Sequence, residues 1–167
     1  MEVLLRPPRT EDADGLALAA RDLAEQYAKI EPDRFQVPER DAQVTHLREV
    51  LARAPRDDVL WLVAEADGEA VGEAIAELLD PLSNAAVQPQ RDVGRRRVYL
   101  GYLAVQERFR SRGIGGRLLE AVEAWASERG AELITTDTNL RSNLGAVEFY
   151  ERHGYERQAV VLRKRLT

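Results

Sequence analysis

The chain has 167 residues and a formal net charge of −5, and 44% of its residues are hydrophobic. This length and composition predict a single domain over residues 1–167 with a sizeable core, and the acidic balance argues against a general nucleic-acid-binding protein. Because the chain contains no cysteine, it can form neither a disulfide nor an acyl-cysteine intermediate.

The first half of the chain predicts three strands and two helices. The apolar segment 3–5 is a short strand stopped by Pro7 and Pro8, and it lacks the length of a signal peptide or a membrane span, so we expect a cytoplasmic protein without membrane contact. Hydrophobic periodicity then predicts a helix capped by Thr10, a helix over 39–53, and strands over 59–66 and 70–79. The apolar stripes of the two helices are Leu16, Ala19, Ala20, Leu23 and Tyr27, and then Val44, Leu47, Val50 and Leu51. Asp67-Gly68, between the two strands, is typical of a tight hairpin turn.

The second half begins with a long polar loop over 80–97, which we expect to be mobile or functional and which could cover part of a binding cleft. The elements after it are, in chain order, a strand over 98–105, a helix with Leu118, Leu119, Val122 and Trp125 on one face that ends at Gly130, a strand over 133–138, a helix over 142–152 ended by Gly154, and either a final strand pair or an extended tail over 155–166.

The segment from Arg110 to Gly116, with the sequence RSRGIGG, joins a predicted strand to a predicted helix. Glycines at such a junction allow a sharp turn, and the first turn of the helix leaves its N–H groups without intrahelical partners, so the segment predicts a site for a phosphate. Arg110 and Arg112 could add charge-assisted hydrogen bonds. The alternative is a tight turn without a ligand. The segment is neither a GxGxxG loop, since Leu118 stands where the third glycine is needed, nor a lysine-containing phosphate loop.

A second block follows the glycine run, from Asn143 to Tyr155, with the sequence NLGAVEFYERHGY. The ordered pair of this block and Arg110-x-x-Gly113-x-Gly115 resembles the GNAT superfamily of acyl-CoA-dependent N-acetyltransferases, over roughly residues 97–155. The resemblance implies an α/β (α+β) fold with a splayed, mixed but mostly antiparallel central sheet of about six to seven strands flanked by about four helices. It also implies acetyl-CoA as the donor and an amine as the acceptor.

The resemblance implies which residues bind acetyl-CoA. The backbone groups of Leu103, Ala104 and Val105 would bind the pantetheine arm. The backbone amides of the glycine run would bind the pyrophosphate, and these belong to Arg110, Ser111, Arg112, Gly113, Ile114, Gly115 and Gly116. Asn143 would contact the pantetheine or phosphate arm, and Tyr150 would lie near the thioester sulfur. The alternatives are a helix N-cap for Asn143 and a packed aromatic residue for Tyr150.

Acetyl transfer to an amine requires a base and an oxyanion donor, because an alkyl amine is protonated at neutral pH. The N–H of Val105, beside an expected bulge, would stabilise the oxyanion, and Tyr150 would protonate the departing thiolate. Many members of the family have a glutamate on the strand before the glycine loop, but segment 98–102 contains no carboxylate.

The remaining candidate bases lie on neighbouring segments. Glu73 and Glu77 share one face of a predicted strand with Ile75, and Asp137 lies near the end of a later strand, so each could act directly or through a water molecule. For each of the three, the alternative is a surface carboxylate without a catalytic role.

The predicted function is acetyl-CoA-dependent N-acetylation of a primary amine of a small molecule or a protein, without a covalent enzyme intermediate. Two alternatives stay open, namely a catalytically silent CoA-binding module of the same fold and a non-CoA α/β interaction domain. No nucleic-acid partner is expected, and a homodimer formed through the C-terminal strands is possible. No metal is expected, since His46 and His153 are the only histidines.

Overall fold

The structure is a computed structural model, and it describes residues 2–53, 55–139, 141–164 and 166. For Leu144 it describes the backbone alone. The chain divides into two compact units, Met1–Asp137 and Thr138–Thr167. The single domain over 1–167 therefore stays a prediction.

The structure contains five strands and four helices among the described residues. They are β1 Val3–Arg6, α1 Ala13–Ile30, α2 Arg40–Leu51, β2 Val59–Ala66, β3 Glu69–Leu79, β4 Arg97–Val105, α3 Ile114–Glu128, β5 Leu133–Thr136 and α4 Leu144–Arg152. The strands form one sheet in the order β1-β2-β3-β4-β5, antiparallel except for the parallel β4–β5 pair. The mixed, mostly antiparallel fold is confirmed. The expected six to seven strands are too many, because the described part of 155–166 forms no strand.

The start of α1 differs from the prediction. Thr10 does not cap it, since residues Thr10–Asp12 form a single 3-10 turn and α1 begins at Ala13. Asp12 occupies the N-cap position without a capping hydrogen bond, because its carboxylate is bound by Arg6 instead. The second helix is shorter than predicted and is capped by Glu39, whose carboxylate accepts the first-turn N–H groups.

The hairpin between β2 and β3 forms at the predicted turn, where Asp67 and Gly68 both have positive φ, at 51° and 81°. One register shift in the sheet lies elsewhere than expected. The predicted bulge beside Val105 is wrong, since Val105 pairs regularly with Gly72, and the extra residue of β4 is Gly101. A bulge re-aims the strand that carries it, so β4 changes direction before its last four residues.

The polar loop before β4 contains two single 3-10 turns, Ala85–Val87 and Arg91–Gly94. Its two ends are held together, because the N–H of Leu82 donates to the carbonyl of Val93 and Arg96 forms an ion pair with Asp80. A role for this loop in covering a cleft stays a prediction.

The sheet is covered on both faces. On one face, Leu16 of α1 packs with Val63 and Ala70, and Trp61 packs against this cluster together with Leu47 and Leu51 of α2. Helix α3 lies against β2, β3 and β4, and its Leu118, Leu119 and Val122 are fully buried. None of the described helices combines the length and the apolar character that crossing a bilayer requires.

Candidate active site

Strands β4 and β5 separate partway along their length. They pair from Arg97 to Leu100 on β4, and at the last pair the hydroxyl of Thr136 donates to the carbonyl of Leu100 at 2.9 Å. Among the described residues of the unit Met1–Asp137, segment 102–105 pairs with β3 alone. This end of β4 therefore has a backbone edge that β5 does not cover.

In an antiparallel pair of strands, the backbone N–H and C=O groups of successive residues point alternately toward the partner strand and away from it, and this decides which groups lie on the open edge of β4. The N–H of Gln106 donates to Val71 of β3 at 2.8 Å, so the N–H and C=O groups of Val105 and Leu103 point away from β3, and those of Ala104 point toward it. The side chain of Arg110 fits this orientation, because its Nε donates to the Val105 carbonyl at 2.9 Å. Of the three predicted pantetheine-binding residues, Leu103 and Val105 therefore present backbone groups at the edge.

The glycine run forms the N-terminus of α3. Gly113 is its N-cap, with φ of 79°, and a Cβ there would meet no atom within 4 Å, so a glycine is needed for the backbone conformation and not for space. The first bond inside the helix joins the N–H of Arg117 to the carbonyl of Gly113. The N–H groups of segment 114–116 belong to the first turn, which has no intrahelical acceptor for them.

The two arginines of the run have partners within the protein. The backbone N–H of Arg110 donates to Glu107 at 3.1 Å, and its side chain bonds Gln26 of α1 at 3.3 Å in addition to Val105. The guanidinium of Arg112 lies 5.5 Å from the centre of the Phe109 ring. Arg110 therefore fixes the loop to the end of β4 and to α1.

Gln106, directly after β4, is a structural residue that the sequence did not indicate. It is 2% exposed, and its side-chain amide donates to the carbonyls of Gly15 at 3.1 Å and Ala70 at 2.8 Å. These bonds join the start of α1 to the ends of β3 and β4. No motif marks such a residue, because its partners are backbone carbonyls brought together only by the fold.

Glu73 is a buried carboxylate on the face of β3 that α1 covers. It is 3% exposed, and its Oε2 accepts a hydrogen bond of 2.8 Å from the indole N–H of Trp61. Burial raises the pKa of Glu73 to about 7, although the bond from Trp61 acts in the opposite direction. Among the described residues Glu73 forms no ion pair, so no cation counteracts the effect of burial on its pKa.

The other two candidate bases have partners and lie in wetter surroundings. Glu77 shares a face with Glu73, as predicted, but it is 40% exposed and forms an ion pair with Arg56 at 2.8 Å. Asp137 accepts a hydrogen bond of 2.9 Å from the hydroxyl of Tyr99. Glu73, in contrast, is buried and has a raised pKa, as expected of a general base that works near neutral pH.

Asn143 and Tyr150 belong to the second unit. Asn143 is the N-cap residue of α4, and its side chain makes no capping hydrogen bond, while its carbonyl accepts the N–H of Ala146. Tyr150 packs against Phe149 and Tyr155, with ring centres 5.2 and 5.4 Å apart. Tyr150 is thus a packed aromatic residue in its own unit, and roles toward a cofactor stay predictions for both residues.

Comparisons with known proteins give the family. Residues 21–155 match the acetyltransferase (GNAT) family. The uncharacterized N-acetyltransferase YhfO of Bacillus subtilis is 34% identical over 106 residues, which cover 63% of this chain and 64% of that protein. The uncharacterized N-acetyltransferase MJ1207 of Methanocaldococcus jannaschii is 31% identical over 106 residues, covering 64% of this chain and 43% of that protein. The matches thus span less than two thirds of each relative.

Solved structures share the fold at low identity. A mutant of the BH1408 protein from Bacillus halodurans superposes with a TM-score of 0.81 at 20% identity, covering 98% of this chain and 99% of that one. The aminoglycoside N-acetyltransferase AAC(6')-Iy in complex with CoA has a TM-score of 0.62 at 21% identity, covering 99% and 95%. The family match covers most of the sequence, and the chain belongs to the acetyltransferase (GNAT) family.

Proposed function

We propose that the protein is an acetyl-CoA-dependent N-acetyltransferase that moves an acetyl group directly from the thioester to a primary amine of a small molecule or a protein. Its family, and the naming of both YhfO and MJ1207 as N-acetyltransferases, support the type of reaction. The CoA complex of AAC(6')-Iy, a protein with the same fold, supports the donor. The observation that carries the proposal is the open edge of β4 next to the glycine-capped N-terminus of α3.

The edge and the helix fit the two ends of such a donor. The N–H and C=O groups of Leu103 can bond the amides of a pantetheine arm as a neighbouring strand would, which leaves the N–H of Val105 for the reacting carbonyl. The N-terminus of α3 offers the N–H groups of segment 114–116 and the positive end of the helix dipole to a pyrophosphate. We assign Arg110 the positioning of this loop, because its side chain already bonds Val105 and Gln26.

Glu73 is our choice for the base. The acceptor nitrogen must lose a proton as it bonds to the acetyl carbon, and a carboxylate with a pKa of about 7 can take that proton, directly or through a water molecule. The N–H of Val105 would stabilise the oxyanion that forms, and Tyr150 would give a proton to the sulfur as the carbon–sulfur bond breaks. The thioester supplies the activated acetyl group, and no cysteine is present to form a covalent intermediate.

Two measurements test the proposal. Calorimetry or a thermal shift measures acetyl-CoA binding, and a panel of amines assayed for free CoA measures transfer. We expect both binding and release of CoA with at least one amine. Binding without transfer to any amine would favour the silent CoA-binding module. The absence of binding at millimolar acetyl-CoA would contradict both readings.

A pair of glycine variants tests the donor site. Gly113 and Gly130 lie at opposite ends of α3, both have positive φ, 79° and 70°, and neither has an atom within 4 Å of an added Cβ. Gly113→Ala and Gly130→Ala should therefore each cost about 1–2 kcal/mol of stability. Only Gly113→Ala should also weaken acetyl-CoA binding, by about tenfold, because it disturbs the N–H groups at the helix start. Equal affinities of the two variants for acetyl-CoA would show that the turn at Gly113 does not bind the pyrophosphate.

A further inference from the structure

We propose that Trp61 is a positioning residue for Glu73: its indole N–H holds one carboxylate oxygen in place and leaves the other oxygen to receive the proton of the acceptor amine. The inference rests on the proposed role of Glu73 as the base. Nothing in the two sequence blocks of the family resemblance includes Trp61, which lies well before both of them on β2.

The register of the β2–β3 hairpin sets up the contact. Trp61 pairs with Ile75 and Glu73 pairs with Val63, so Trp61 and Glu73 are diagonal neighbours on one face of the sheet. At that separation only a long side chain reaches its neighbour, and the indole does so with an Nε1–Oε2 distance of 2.8 Å. The turn at Asp67-Gly68 fixes the pairs next to it, and a bulge at Val71, the residue of β3 that has no partner on β2, shifts the register so that Val63 lies opposite Glu73.

Packing holds the indole in its orientation. Trp61 lies against the buried cluster of Leu16, Val63 and Ala70, so its ring is supported by α1 and by both strands of the hairpin. A fixed ring presents its single N–H in one direction, and the carboxylate that accepts it loses rotational freedom. The orientation of Glu73 is therefore determined by the hydrophobic core.

The hydrogen bond from Trp61 matters for the pKa of Glu73 because no positive charge lies beside that carboxylate among the described residues. The charge of Glu73 reaches Tyr102 of β4, whose pKa is raised by burial first, then by Glu73 and by Tyr27 of α1. No cation pairs with Glu73 among the described residues, so the neutral indole is the donor that stabilises its charged form. Removing that donor must raise the pKa of Glu73 further, because burial is then unopposed.

The first test is spectroscopic and does not depend on activity. The chain has two tryptophans, and Trp125 lies on α3 beside Arg129, so a Trp125→Phe variant leaves Trp61 as the only indole emitter. Its fluorescence, titrated from about pH 5 to about pH 9, should change with a midpoint near the pKa of Glu73, about 7. Adding Glu73→Gln should abolish the change. A flat titration, or one that persists without Glu73, would overturn the inference.

The second test is kinetic and compares Trp61→Phe with Trp125→Phe. Phenylalanine keeps an aromatic ring but cannot donate, so the acid limb of the pH profile of kcat/KM should move up by about one pH unit, and kcat/KM near pH 6 should fall about tenfold. The KM for acetyl-CoA should not change. Trp125→Phe should leave the profile unchanged. An unshifted profile in Trp61→Phe would reduce Trp61 to a packing residue.

The two tests separate this inference from the proposed function. If the fluorescence transition depends on Glu73 but no amine is acetylated, Trp61 controls the carboxylate and the proposed enzymatic activity fails. If amines are acetylated with a profile that neither Trp61→Phe nor Glu73→Gln alters, the activity stands and the positioning role is refuted.

Discussion

Among the described residues of the unit Met1–Asp137, the carboxylates of Asp12 and Glu73 are shielded from solvent but lie in opposite electrostatic surroundings. Asp12, 7% exposed, accepts two hydrogen bonds of 2.7 and 2.8 Å from Arg6 and one from the N–H of Arg9. Burial opposes its ionisation, but the bonds and the charge of Arg6 outweigh burial and hold the pKa of Asp12 below its ordinary value. Glu73, 3% exposed, has only the neutral indole of Trp61, and its pKa rises to about 7.

The difference teaches that burial alone does not give a carboxylate its role. At similarly low solvent exposure, a cationic partner keeps Asp12 ionised and joins β1 to the start of α1, as expected of a structural ion pair. Arg6 also bonds Glu65 on β2, which extends the same cluster. A neutral partner leaves Glu73 able to gain and lose a proton near neutral pH, as proton transfer requires.

The largest expected effect comes from replacing Glu73, the proposed base. Glu73→Gln keeps the shape and the acceptor for Trp61 but removes the base, so kcat/KM at neutral pH should fall by about 10²- to 10⁴-fold. Steady-state kinetics with a responsive amine measures the loss. Glu77→Gln is the matched comparison on the same face of β3, and a larger loss there would assign the base to Glu77.

Tyr150→Phe should have a smaller effect on the reaction. A CoA thiolate leaves without much assistance, so removing the proposed proton donor should slow turnover by about 10- to 10³-fold. The ring contacts with Phe149 and Tyr155 would remain in the variant. An undiminished kcat at saturating substrates would leave Tyr150 with a packing role only.

On the structural side, Asp12→Asn should reduce stability by about 3 kcal/mol, because it leaves the buried Arg6 with Glu65 as its one carboxylate. Urea denaturation measures the change. Arg21→Gln is the control, since it breaks an exposed pair with Glu25 and should cost less than about 1 kcal/mol. Similar losses in the two variants would mean that burial adds nothing to the Arg6–Asp12 pair.

The pH dependence of stability should separate the two carboxylates. For Glu73 the pKa rises from 4.5 to about 7 on folding, so its stabilising contribution is complete below about pH 4.5 and is lost as the pH rises through 7. For Asp12 the pKa is lowered, so its contribution is present above the ordinary value of 3.8 and is lost as the pH falls through the folded value.

Urea denaturation of the wild type and of Glu73→Gln over this range tests the sign. Above pH 7 the free energy of unfolding of the variant should exceed that of the wild type by up to about 3 kcal/mol, because the variant no longer has to bury a charge. Stability curves that stay parallel from acid to neutral pH would show that Glu73 titrates normally.

The smallest effect should come from the close contact between α1 and β3 at Gly15. A Cβ on Gly15 would lie 2.3 Å from the carbonyl oxygen of Ala70, so Gly15→Ala must push α1 away from β3 and should cost about 1–3 kcal/mol. Gly145→Ala, in α4 with nothing near its Cβ, should instead stabilise by up to about 1 kcal/mol. Thermal unfolding of both variants checks the difference, and a neutral Gly15→Ala would show that α1 is loosely seated.

Sequence patterns predicted most of the elements, because local periodicity and turn chemistry specify them. Strand β2 has its predicted bounds, and the Asp67-Gly68 turn lies where predicted. The cap of α1 was wrong because Thr10 satisfies the local rule, whereas the helix start is set by the bond between Arg6 and Asp12. The bulge was also misplaced, since register depends on both strands and not on one.

Some residues of the candidate site could likewise be recognised from the sequence, and others could not. The glycine run could be recognised because a backbone conformation constrains residue type locally, and Gly113 has the positive φ that this demands. Glu73 and Glu77 could not be ranked from their spacing, because what differs is Arg56 beside one and Trp61 beside the other. Gln106 was missed for the same reason.

By itself the sequence determined the family, the order of the elements and the turn that begins α3, since each depends on residues close together in the chain. Only the tertiary structure decided that Glu73 is buried without a cation and that Arg110 bonds Val105 instead of facing outward. A pKa and a hydrogen-bond partner depend on what the rest of the fold brings within a few ångströms, and local sequence does not contain that information.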